Sequence, residues 1–104
     1  PAFRPHKVVY ATAFREDAPP PSFVVDVTTA VDRKLRALAC YPSQFEGVAG
    51  MGEVFPGGDR PLPEQIRAHM AVDGSRIRVA AGEPFVTLET LAVPSLGSLG
   101  VSTF

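Results

Sequence analysis

The sequence predicts an α/β fold in which helices pack on a sheet. Two apolar segments rich in β-branched and aromatic residues, 7–14 and 23–27, have the composition of strands. Two others, 31–41 and 63–72, have the spacing of amphipathic helices. The chain has 104 residues, a length that allows one domain at most, so residues 1–104 are treated as a single domain or part of one.

Overall composition excludes several classes of protein. Hydrophobic residues make up 45% of the chain, charged residues 20%, and the net charge is −1. A phosphate-binding surface needs more positive charge, so we expect no nucleic-acid partner. No apolar run reaches the roughly 20 residues of a membrane span, and residues 1–5 lack a signal-peptide pattern. One cysteine forms no internal disulfide, so we expect a soluble, cytoplasmic chain without a membrane span.

The two strand segments differ in their boundaries. Residues 7–14 lack clean alternation, as in a parallel-type strand that is buried on both faces. Residues 15–21 are charged and proline-rich, which predicts a stiff surface loop. The second strand, 23–27, runs directly into a predicted helix start.

The first helix has a start signal, an apolar face and a stop signal. Thr28 or Thr29 is the expected N-cap, and Asp32 follows Thr29 by three residues. The helix ends near Pro42, and we expect its apolar face to pack on the sheet through Val31, Leu35 and Leu38. Cys40 falls close to this face, which favours a buried packing role over a reactive thiol.

The second half of the chain is loop-rich. A glycine-rich loop at 46–61 carries apolar residues that would dock on a substrate cleft, on a neighbouring subunit or on its own domain. The second helix begins at Pro63, ends at Asp73-Gly74 and has apolar residues at four-residue spacing, Leu62, Ile66 and Met70. Residues 76–79 alternate like a short exposed strand, 85–93 read as a last strand or extended edge, and we expect a flexible tail at 94–104.

Few residues carry recognisable chemistry. A hydrolytic zinc site needs about three converging ligands, and neither histidine, His6 or His69, has a second ligand at a suitable spacing. We therefore expect no metal site from this chain alone, and His69 reads as an exposed helix residue. His6 and Lys7 stand at the entrance to the first strand, where they would bind a carboxylate or a hydroxyl-rich substrate, or would simply be solvated.

The segment 22–28, followed by Lys34, Ala37-Leu38, Tyr41 and Ser43-Gln44-Phe45, resembles the C-terminal region of LmbE-like N-deacetylases, the PIG-L superfamily. Gly82-Glu83-Pro84-Phe85 shares this resemblance. Pro5-His6-Lys7 is similar to a Pro-His-Arg that precedes the equivalent strand in some members. The resemblance covers roughly residues 5–93.

This resemblance implies a fold and an activity. The fold would be the C-terminal portion of a Rossmann-like sheet with flanking helices, incomplete without an N-terminal half. The reaction would be removal of an acyl group from an N-acetylglucosamine-type amino sugar by zinc-activated water. The family's metal ligands and general base come from a His-Pro-Asp-Asp motif and a later His-x-x-His, and neither occurs here.

The resemblance therefore assigns zinc and all catalytic residues to a missing N-terminal half, and substrate binding to Lys7 and His6. This chain alone would be inactive. Lysine replaces the family's arginine, and Leu62 falls near a tyrosine of some members, which argues against the bacillithiol branch. The alternative is a non-enzymatic α/β binding or assembly module that uses the 46–61 loop, with redox regulation through Cys40 as a weaker third. A homo-oligomer is compatible with each.

Overall fold

The computed structural model describes residues 2–5, 7–12, 18–42 and 61–100. Within these ranges the chain is a small α/β fold, as predicted, with three strands and two helices. In chain order they are β1 (Tyr10–Ala11), β2 (Phe23–Asp26), α1 (Val31–Ala39), α2 (Leu62–Ser75) and β3 (Gly82–Val86). None of the helices in these ranges is long and apolar enough to cross a bilayer.

The central strand of the sheet is the last one in the sequence. Strand β3 lies between β1 and β2 and is antiparallel to both. Phe23 is opposite Phe85 in the β2–β3 ladder, and Tyr10 is opposite Val86 in the β1–β3 ladder. The expectation of a parallel-type pairing for the first strand is therefore wrong.

Strand β1 is much shorter than the predicted strand at 7–14. Val9 and Tyr10 are each 49% exposed, so the expected burial on both faces is also wrong for the described part of this segment. Continued by one residue, the β1–β3 register would place Thr12 opposite Pro84. On the β2 side, Val27 N–H donates to Ala81 O just before β3. Successive residues of a central antiparallel strand bond alternately to its two neighbours. Since residue 81 bonds towards β2, residues 82, 84 and 86 face β1, and so does the nitrogen of Pro84. Because proline has no N–H to donate, Pro84 offers Thr12 no ladder bond from its nitrogen, and Thr12 lies outside β1.

The hydrophobic core lies mainly on α2. Its buried members are Leu62, Ile66, Met70 and Ala81, which confirms the predicted apolar face of α2. The sequence predicted that α1 packs on the sheet, whereas its half-buried face packs against this cluster through Val31, Leu35 and Leu38. Helix α2 also approaches β3 closely, since a Cβ on Gly82 would lie 2.9 Å from the Gly74 nitrogen.

Residues 76–79 form the turn that ends α2, not the strand that their alternation predicts. Val79 N–H donates to Gly74 O at 3.0 Å, and Arg78 has a positive φ of 63°. These are the features of a left-handed helix C-terminus. The helix therefore includes Asp73 and Gly74 and ends at Ser75, and the last strand occupies Gly82–Val86 instead of 85–93.

The start of α1 also differs from the prediction. A 3-10 turn at Thr28–Ala30 precedes the helix, whose N-cap position is Ala30, and neither predicted threonine caps it through a side chain. Because the threonines lie within the 3-10 turn, the hydroxyl of Thr28 bonds to Asp26 instead.

Cys40 is exposed, and its thiol lies 3.4 Å from Arg36 O. The expected burial is wrong because Cys40 keeps helical backbone angles and therefore lies about 200° around the helix from Leu38, on the face opposite the half-buried side chains. The described part of the tail contains a 3-10 turn at Leu96–Ser98 with no buried residue. The 46–61 loop, except Pro61, lies outside the described residues.

Candidate functional site

Of the two predicted substrate-binding residues, the structure describes one. Lys7 is exposed and precedes β1 by three positions, whereas His6 lies outside the described residues. Lys7 is therefore an accessible cation at the start of the first strand. Its contact with any substrate group stays a prediction.

A hydrogen-bonded junction joins the carboxyl end of β2 to the start of β3. The Asp26 carboxylate accepts hydrogen bonds from the Thr28 hydroxyl at 2.6 Å and from the Thr28 N–H at 3.0 Å. The same hydroxyl accepts a bond from Ala81 N–H at 3.3 Å. These bonds fix the direction in which the chain leaves the sheet and enters α1.

The junction also perturbs one acid. The hydroxyl bond from Thr28 and, next, its backbone N–H bond hold the pKa of Asp26 below the usual 3.8. Hydrogen bonds to the charged form of a carboxyl favour ionisation. Asp26 is thus a fixed anion at physiological pH and is unsuited to act as a general acid there.

Two ion pairs tie α1 to the rest of the fold. Lys34 Nζ donates a hydrogen bond to Glu83 Oε1 on β3, and the two side chains are 28% and 33% exposed. On the solvent side, Arg67 of α2 lies 3.9 Å from Asp32 of α1. The Lys34–Glu83 pair was not predicted, because the partners are 49 residues apart and no local pattern connects them. Their membership in the two resembling segments was the only available signal.

An apolar groove of about 260 Å³ lies between the C-terminal end of α1 and the N-terminal end of α2. Within the described ranges its lining side chains are all apolar: Leu35, Leu38, Ala39, Pro42, Pro61, Leu62, Pro63 and Ile66. Leu62 offers this groove only aliphatic carbon where a tyrosine would offer a hydroxyl. The groove fits an apolar group rather than a sugar.

The described residues do not fit a zinc site. In those ranges no three His, Cys, Asp or Glu side chains come together in a group that could hold a metal ion. His69 lies on α2 and is half-buried instead of exposed. No catalytic step through zinc follows from these residues.

Much of the apolar surface in the described ranges is uncovered. Phe3 and Leu96 are each 85% exposed, and Leu88 is 80% exposed. Around the sheet, Val8, Val9, Tyr10 and Val25 are about half exposed. These side chains are accessible to contact with another surface.

Comparison with family models, with curated proteins and with solved structures gives no match for this chain.

Proposed function

We propose that this chain is the C-terminal portion of a zinc-dependent N-deacetylase that acts on an N-acetylglucosamine-type, N-acyl amino sugar. An N-terminal half would supply the zinc ligands and the general base and would complete a Rossmann-like sheet. The proposal includes a cytoplasmic location. It assigns to this chain sheet completion and one wall of the sugar site, and no catalytic residue.

One observation carries the proposal: the separate segments that resemble the deacetylases meet in the fold. Phe23 of the first segment stacks on Phe85 of the second, with ring centroids 5.4 Å apart. Lys34, also part of the first segment, pairs with Glu83 of the second. Such contacts are expected if the two segments belong to one unit of a deacetylase fold.

The uncovered surface supports the same proposal. In the described ranges, β1 and β2 each pair on one side only. Unpaired strand edges readily accept another strand, and the half-exposed Val25 on β2 gives this edge an apolar side chain. Additional strands from an N-terminal half would pair with these edges and cover Val25.

The reading frame upstream of residue 1 tests the proposal. We expect it to encode a strand followed by His-Pro-Asp-Asp, and later a His-x-x-His close to residue 1. An upstream frame that is open but carries neither motif would refute the deacetylase assignment, as would a stop codon directly before the chain.

The second candidate is a non-enzymatic binding or assembly module, and the apolar groove favours it. Its volume of about 260 Å³ and the apolar side chains of its described lining suit a hydrophobic side chain of a partner protein or of a second copy. Equilibrium sedimentation of the chain distinguishes the second copy from other partners, since only self-association makes the mass depend on protein concentration.

A further inference from the structure

We draw no further inference here: the strongest candidate, the apolar groove between the C-terminal end of α1 and the N-terminal end of α2, belongs to the site already described, and nothing in the structure shows what covers it.

Discussion

Asp26 and Thr28 form the best-defined polar contact at the end of β2. The carboxylate holds two hydrogen bonds from one residue, and both lower its pKa. A group whose pKa is lowered on folding stabilises the folded state above its unfolded pKa. That stabilisation is lost as the pH falls through the folded pKa.

Replacing Thr28 with alanine removes the stronger of these bonds. We predict that T28A raises the pKa of Asp26 towards 3.8 and flattens the pH dependence of the free energy of unfolding below about pH 4. Carbon-detected NMR titration of the carboxyl measures the pKa directly. T29A is the matched control, because it changes the neighbouring threonine and keeps both bonds to Asp26. An unchanged pKa in T28A would contradict this account of the junction.

Lys7 is the described residue with a proposed role in substrate binding. In the complete enzyme, we expect K7A to raise KM about tenfold, with a smaller effect on kcat, because a charge-assisted hydrogen bond contributes about 1.5 kcal/mol or more. K7R should keep the wild-type KM, since arginine retains the charge. R4A, which removes another exposed cation nearby, is the control. Equal KM values in K7A and wild type would remove Lys7 from the site.

Gly74, near the end of α2, lies close to the main chain that leads into β3. A Cβ on Gly74 would lie 2.7 Å from Val79 O and 2.9 Å from the Ala81 backbone. Real Cβ atoms do not approach backbone atoms so closely, and main chain cannot move aside as a flexible side chain can. Gly74 therefore permits the turn after α2 to return against the helix and start β3.

We predict that G74A lowers the free energy of unfolding by about 1–2 kcal/mol, even though alanine favours helix by about 1 kcal/mol over glycine. Urea denaturation followed by circular dichroism measures the change. G97A serves as the control, since the nearest atom to its new Cβ is Ser95 Oγ at 3.8 Å. A midpoint for G74A at or above that of wild type would show that Gly74 is not in tight contact with the main chain of Val79 and Ala81.

Elements defined by local spacing could be predicted from the sequence, and those set by distant residues could not. The four-residue spacing of Leu62, Ile66 and Met70 placed the buried face of α2 correctly. The length of β1 depends on Pro84 in a strand far along the chain, and no pattern within 7–14 contains that information. Similarly, the alternation at 76–79 suggested a strand. The positive φ of Arg78, which makes this segment a turn, could not be foreseen because arginine rarely adopts it.

In the candidate site, too, features that depend on local sequence could be predicted and features that depend on distant residues could not. Its exposed cation, Lys7, could be named from its position before a strand. Neither the Lys34–Glu83 pair nor the groove was predicted, because each requires residues from both halves of the fold.

For the whole molecule, the contrast between core and surface is the main physical feature. Only four hydrophobic side chains are buried in the described ranges, whereas aliphatic residues from β1 to the tail face solvent. Domains of this size are marginally stable even when their apolar surface is well covered. The proposed N-terminal half would cover part of this exposed apolar surface.

Release of acetate from an N-acetylglucosamine derivative, with and without added zinc, tests this account most directly. It should be measured on the 104-residue chain and on the product of the complete reading frame. We predict zinc-dependent release by the complete product and none by the isolated chain. Hydrolysis by the isolated chain, or no hydrolysis by a folded, zinc-loaded complete product, would contradict the account.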